Sequence, residues 1–314
     1  MVLRFEGISH VLLDIEGTTC PVSFVANDLF PYASAHLGSY LERHQTDTAV
    51  KALVDELWML WQQDPDPEAR VLLQPPKEAE GKAKPDLRQP EPAKEQPQPL
   101  EWGPEPVERQ PDPADRKGPH DVQQPPGLRT PPPSVEPYLQ WLIRLDRKVT
   151  ALKDLQGRIW QEGYANGDLQ GPLFVDVPEA LRRWSQQGLV LGVYSSGSVP
   201  AQQLLYGHSS AGDLRSLFRH WFDTRSGAKQ EATSYLRISQ AMEADPGAIL
   251  FVSDVPAELH AAAEAGCQVL FSHRPGNPHQ DGAGYPAASS YAEVQIQLLP
   301  SAPTGQEVPL PPSG

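Results

Sequence analysis

A chain of 314 residues, 39% of them hydrophobic, is long enough for one large domain or two smaller ones with proper cores. Its formal net charge of −14 argues against nucleic acid or an anionic membrane as main partner, although a lysine or a metal can still invert the field of one cleft for a phosphorylated small molecule. Two cysteines, Cys20 and Cys267, make no disulfide framework, and no His/Cys spacing reads as a zinc site. With no apolar leader at the N-terminus and no apolar run long enough to span a bilayer, the expectation is a soluble, cytoplasmic protein, and separately a monomer.

In chain order, the first predicted element is the strand "HVLLDI", which ends abruptly in two carboxylates, Asp14 and Glu16, followed by Gly17 and two threonines. Amphipathic helical sequence comes next, in "NDLFPYASAHLGSYLERH" and "VKALVDELWMLWQQ". Residues 64–137 then hold 20 of the 35 prolines among many Glu, Gln, Lys and Arg, which predicts a disordered, partly polyproline-like insert. Helical sequence resumes with "EPYLQWLIRLDRKVTALKDLQGRIWQEGYANG".

From about residue 172, apolar β-branched runs ("LVLGVYS", "AILFVSD", "CQVLFS") alternate with helical stretches ("VPEALRRWSQQG", "QEATSYLRISQAMEA", "PAELHAAAEAG"). Fully apolar strands alternating with helices predict an α/β fold, a doubly wound parallel sheet covered on both faces. Its core comprises residues 1–20 and 172–299. Residues 21–63 and 138–171 form a helical cap inserted after the first strand, residues 64–137 the insert, and residues 300–314 a disordered tail.

Ligands of open parallel sheets bind at the carboxyl ends of the strands. The first strand ends in Asp14 and Glu16, the next in Ser195-Ser196-Gly197 and a later one in Ser253-Asp254, while Lys229 precedes a helix in "FDTRSGAK". Hard carboxylate oxygens suit Mg²⁺, which usually takes a few carboxylates, waters and a substrate phosphate. A carboxylate can attack phosphorus, and a lysine with hydroxyl donors can clamp the transferring oxygens.

The ordered motifs D-x-E-G-T-T, Y-S-S-G-S, G-x-K and S-D resemble those of haloacid-dehalogenase-type phosphohydrolases. Together with "LFPYA", "DRKVTALKDLQGRIWQEGY", "VYSSGSVPAQQLLYGHSSAGDL", "HWFDT" and "GAKQEATSY", they resemble the enolase-phosphatases of methionine salvage along nearly the whole chain outside the insert and tail. The resemblance implies a Mg²⁺-dependent enzyme that enolises 2,3-diketo-5-methylthiopentyl-1-phosphate and then hydrolyses its phosphate. It makes Asp14 nucleophile and metal ligand, Glu16 metal ligand and acid/base, Ser195 and Ser196 substrate contacts, Lys229 the phosphate-side cation and Asp254 the third metal ligand. Most phosphatases of the wider superfamily carry aspartate where Glu16 stands, and the longer side chain is consistent with an added enolisation step. A generic Mg²⁺-dependent small-metabolite phosphatase, and a non-catalytic scaffold that binds partners through the proline-rich insert, remain as alternatives.

Other residues carry plainer expectations. Glu258 reads as a solvated helix residue, with ordering of a metal-bound water as its alternative. Asp146, Arg147, Lys148 and Lys153 form a charged cap face that either touches substrate or is only solvated. His208 is expected to end a helix with Gly207, with general-base chemistry as its alternative, and Trp58, Trp61, Trp141 and Trp160 to pack the cap.

Overall fold

The computed structural model describes residues 2–73, 134–145 and 147–298. The expectations for the body of the insert, the tail and Asp146 lie outside these residues.

The main sheet has six parallel strands in the order β4-β3-β2-β5-β6-β7: β2 His10–Leu13, β3 Val190–Tyr194, β4 Phe218–Phe222, β5 Ile249–Ser253, β6 Gln268–Ser272 and β7 Ala287–Ala288. Strand order runs outward from β2 through β3 and β4 on one side, then reverses to β5 and β6 on the other. The crevice at the carboxyl ends of β2, β3 and β5 is therefore the topological switch point, where such sheets hold ligands. A second sheet of two parallel strands joins β1 (Leu3–Ile8) to β8 (Val294–Leu298).

Alternation along β2 divides the core. Val11 and Leu13 pack with Leu191, Val193, Leu250, Val252 and Leu270 on one face, whereas Leu12 packs with Phe251, Val269 and Phe271 on the other. Helices α6 (Val177–Gln186), α7 (Val199–Gly207), α8 (Ala232–Ala241) and α9 (Pro256–Glu264) link or cover these strands. Trp184 of α6, fully buried, sits in the first cluster, and Tyr235 of α8 in the second.

The cap consists of α1 (Phe30–Arg43), α2 (Thr48–Gln63), α3 (Pro67–Leu72), α4 (Glu136–Arg144) and α5 (Thr150–Asn166), around a separate apolar cluster that includes Leu37, Leu57, Tyr138, Trp141, Leu155 and Ile159. Asp47 starts α2 by accepting hydrogen bonds from the Ala49 and Val50 amides, and Gly167, at φ +80°, ends α5 in the left-handed region. Near the cap's edges, Phe24, Leu29, Tyr164 and Leu169 pack with the sheet cluster rather than the cap cluster.

The expected start of the insert at residue 64 needs correction, as does its end at 137. Asp64 is buried, its Oδ2 accepting the Tyr138 hydroxyl at 2.8 Å and its Oδ1 the Asp66 amide at 3.0 Å. Asp66 caps α3, Ala69 and Leu73 join the cap cluster, and Trp61 Nε1 donates to the Ala69 carbonyl at 2.8 Å. On the far side, Val135 is already buried and α4 begins at Glu136. Proline at the first position of α3 is compatible with a helix, so proline density alone misplaces these boundaries. Replacing residues 74–133 with a short Gly/Ser linker should leave the melting temperature and turnover near wild type. Removing 64–137 instead should cost at least ~1–3 kcal/mol, because α3 and the partner of cap side chains are lost; paired thermal melts of the two deletions check this.

The four cap tryptophans pack as expected: Trp141 is buried, Trp58 and Trp61 meet edge-to-face at 5.6 Å, and Trp160 Nε1 donates to the Leu29 carbonyl at 2.8 Å. His208 follows α7 as its C-cap, with Nδ1 3.1 Å from the Leu204 carbonyl and its ring stacked on Tyr164 at 5.3 Å. Among the described residues, no helix is long and apolar enough to cross a membrane.

Candidate active site

Strand β2 delivers Asp14 to the switch point, and the chain then folds back at once. The amides of Thr18, Thr19 and Cys20 all point to the Ile15 carbonyl, at 3.2, 2.8 and 2.9 Å. Gly17 makes this turn possible, because its φ is +67° and a Cβ there would lie 2.1 Å from Asp254 Oδ2. The close approach brings the β2 loop against the end of β5.

Asp14 is buried, and its Oδ1 accepts from the Ile15 amide at 2.8 Å and from Lys229 Nζ at 2.8 Å. Both contacts fall on one oxygen, and Oδ2 takes no hydrogen bond from the described residues. Lys229 also reaches Glu258 Oε2 at 2.7 Å, and its ammonium lies 5.9 Å from the centre of the Tyr194 ring. Its approach is fixed by main-chain contacts: the Tyr235 hydroxyl donates to the Lys229 carbonyl at 2.7 Å, and the Tyr194 hydroxyl to the Gly227 carbonyl at 2.9 Å. Gly227 has φ +128°, and a Cβ there would meet Ser234 Oγ at 2.1 Å, which explains the glycine of the G-x-K motif.

Glu258, expected to be solvated, is buried. Besides Lys229 it accepts the Ser253 hydroxyl at 2.9 Å, and that hydroxyl in turn accepts the Val255 amide at 3.1 Å. The reason is position: residue 258 sits in the first turn of α9, directly after the end of β5, so its side chain turns into the crevice instead of toward solvent.

The electrostatics follow from crowding. Burial works against the Lys229 ammonium, but Asp14 and Glu258 outweigh it and hold the lysine charged well above its usual range. Burial raises Glu258, Lys229 counters that rise and Asp14 adds to it. Burial and then the Asp14 charge push Glu16 up to about 7, against opposing pulls from Lys229 and Lys148. Asp254 is pushed up to about 8 by burial, Asp14 and Glu258, with Lys229 opposing.

Ser195 is buried at the end of β3, its amide bonded to the Phe222 carbonyl at 3.2 Å and its Oγ accepting the Gly197 amide at 3.3 Å; Ser196 beside it is exposed. Asp14 and Lys229 thus act electrostatically on both Glu16 and Asp254, and Ser195 and Ser196 occupy the neighbouring strand end. Of the cap charges, Lys148 is exposed and acts on Glu16, whereas Arg147 lies 3.7 Å from Asp64 and 3.6 Å from Asp66. Lys153 is exposed on α5.

Among the described residues, no group of three or more His, Cys, Asp or Glu side chains stands in a ready-made metal cage. The donors still suit Mg²⁺, which is commonly bound through only one or two carboxylates. Burial first, and then the charge of Asp14, raises both Glu16 and Asp254, and a divalent cation would relieve the second of these causes.

A profile of haloacid dehalogenase-like hydrolases matches residues 8–266. Enolase-phosphatase E1 of Synechococcus sp. (strain RCC307) is 40% identical over 304 residues, covering 97% of this chain and 99% of that protein. Enolase-phosphatase E1 of Prochlorococcus marinus (strain MIT 9313) is 43% identical over 274 residues, 87% of this chain and 92% of that protein. Among solved structures, the UTR4 protein of Saccharomyces cerevisiae superposes with a TM-score of 0.60 at 26% identity, covering 90% of this chain and 98% of that one. Likeness of this extent, carried through the strand ends that build the site, means that the chain belongs to the haloacid dehalogenase-like hydrolases and, within them, to the enolase-phosphatases.

Proposed function

We infer that the chain is a bifunctional enolase-phosphatase that converts 2,3-diketo-5-methylthiopentyl-1-phosphate into the acireductone 1,2-dihydroxy-3-keto-5-methylthiopentene and inorganic phosphate, a step of methionine salvage. The observation that carries this reading is the Lys229 ammonium seated on one oxygen of Asp14 at the switch point, with Asp254 packed against the same loop.

In the first step a proton leaves the carbon that bears the phosphate oxygen, and one is added at the adjacent ketone oxygen. The Glu16 carboxylate, two residues from Asp14 on the same loop, is assigned this transfer. In the second step Asp14 Oδ2 attacks phosphorus, the bond from phosphorus to the enol oxygen breaks, and that oxygen takes a proton. Water then attacks the phosphoaspartate, releasing phosphate and restoring Asp14. Lys229 holds Asp14 aimed through Oδ1 while offering positive charge to the phosphoryl oxygens, and the Ser195 and Ser196 hydroxyls at the neighbouring strand end are assigned to the same group. Mg²⁺ would be held by Asp14, Glu16 and Asp254, and when bound it supplies neutralisation of the phosphoryl charge. The free thiols of Cys20 and Cys267 suit a reducing, cytoplasmic compartment, which fractionation would check, and a monomer is expected, which sedimentation would check.

The test is phosphate release from the diketo phosphate with Mg²⁺ and with chelator, run beside ordinary sugar phosphates. Turnover confined to the diketone and lost with chelator supports the reading. Release from sugar phosphates alone moves the chain to a generic phosphatase. Glu16→Asp withdraws the carboxylate by one methylene, so enol formation should slow by about 100-fold with phosphate release from preformed enol phosphate much less affected. Unchanged partitioning between enol and product would remove Glu16 from the proton transfer.

A further inference from the structure

Two buried carboxamides stand directly behind the two loops that form the site, each donating to their main-chain carbonyls. Asn277, in the segment after β6, is 6% exposed, and its Nδ2 donates to the Gly17 carbonyl at 2.8 Å, with the Ser272 carbonyl at the long limit of 3.5 Å. The Gly17 carbonyl takes a second donor, Ser272 Oγ, at 3.0 Å. Gln202, in α7, is 2% exposed, and its Nε2 donates to the Gly197 and Phe222 carbonyls at 2.8 Å each. A side-chain amide facing two carbonyls has its orientation fixed, because only its NH₂ end can satisfy both.

We propose that Asn277 and Gln202 are positioning residues with separate tasks: Asn277 sets the Asp14–Gly17 loop against Asp254 and so governs Mg²⁺ binding, and Gln202 sets the Ser195–Gly197 loop and so governs phosphate binding. The inference rests on the functional reading above for what each loop binds.

Geometry separates the tasks. The space beside Gly17 Cα is bounded on one side by Asp254 Oδ2 and on another by Asn277 Nδ2, at 2.1 and 2.8 Å from where a Cβ would lie. Rotation of the Gly17 peptide would therefore move the Glu16–Gly17 main chain relative to the Asp254 carboxylate. Asn277 is itself held in place: Gln280 Nε2 donates to its carbonyl at 2.8 Å, and its amide donates to the Arg274 carbonyl at 3.3 Å. Arg274 is clamped by Asp176 at 2.9 Å and lies over the Tyr291 ring at 4.3 Å, while the Tyr291 hydroxyl donates to the Thr18 carbonyl at 2.9 Å. On the other side of the crevice, Gln202 bonds the carbonyl of Phe222, the same group that accepts the Ser195 amide. It thereby ties the serine loop to the ends of β3 and β4 without touching the Asp14 loop.

Calorimetric titration with Mg²⁺ alone, and with inorganic phosphate at saturating Mg²⁺, separates these roles. Asn277→Leu should weaken Mg²⁺ binding by about ten-fold or more and leave the phosphate constant within about two-fold. Gln202→Met should do the reverse. Milder variants guard against loss of fold: Ser272→Ala removes the other donor to Gly17, and Gln202→Asn keeps an amide but withdraws it by one methylene from the Gly197 and Phe222 carbonyls. Each should move the same constant in the same direction. Constants that shift together in every variant, or stay at wild-type values, overturn the proposal. A wild-type chain that binds both ions yet leaves the diketo phosphate untouched would instead sink the functional reading, while the crossed pattern of constants would still stand.

Discussion

Asparagine at position 14 is expected to lower phosphate release by about 10⁴-fold or more, the scale on which loss of a covalent nucleophile acts. The substitution preserves volume in a buried position and leaves the loop's bonds to the Ile15 carbonyl in place, so the fold should persist. What disappears is the anionic oxygen that attacks phosphorus. Brief incubation with substrate followed by an acid quench should trap a phosphoenzyme in the wild type and none in Asp14→Asn. Equal labelling of both would place the nucleophile elsewhere, and Lys229 would then be holding Asp14 for another purpose.

The second large effect concerns Lys229, whose side chain is only 10% exposed between two buried carboxylates. Lys229→Met removes the ammonium that bridges Asp14 and Glu258 and leaves buried negative charge without this counterion. A broken buried pair typically costs about 3–5 kcal/mol of stability. The same change removes positive charge from the transferring phosphoryl group, and kcat/KM should fall by about 10³-fold. The two losses have different remedies. Adding Glu258→Gln to Lys229→Met deletes one of the stranded charges and should recover part of the stability but none of the activity. Denaturation midpoints and kcat/KM for the two variants decide the matter: a Lys229→Met chain as stable as wild type would mean that these ion pairs do not hold the crevice together.

The parts of the fold legible in sequence were those that bury both faces. Strands β2, β3, β5 and β6 are short unbroken apolar runs, so their number, their parallel pairing and the polar residues at their ends follow from composition and alternation with helices. Strand β4, "FRHWF", mixes charge and aromatics because it lies at the sheet edge and buries little beyond Phe218. Strands β1 and β8 are half-exposed, and pairing Leu3 with Val294 joins opposite ends of the chain, which no local pattern can report.

The same division holds within the site. Asp14, Glu16, Ser195, Lys229 and Asp254 stand out because each is a polar residue at the end of an apolar strand or at a helix entry. Glu258 does not: on an alanine-rich helix, a carboxylate four residues after Asp254 looks the same whether it meets water or Lys229. Asn277 and Gln202 are plain amides in a loop and on a helix, and their meaning lies in carbonyls as far as 260 residues away. The segment 64–73 misleads in the opposite direction. Its two prolines and three acidic residues look like the rest of the insert, yet Asp64, Ala69 and Leu73 are buried in the cap.

One crevice is expected to carry out enolisation before phosphoryl transfer. This order is tested most directly by a single-turnover experiment with excess enzyme and Mg²⁺, following enol absorbance in the ultraviolet and released phosphate in the same time course. An absorbance rise should precede phosphate, the lag in phosphate should match this rise, and chelator should abolish both. Phosphate that appears without a lag, with no enol formed before it, would contradict it.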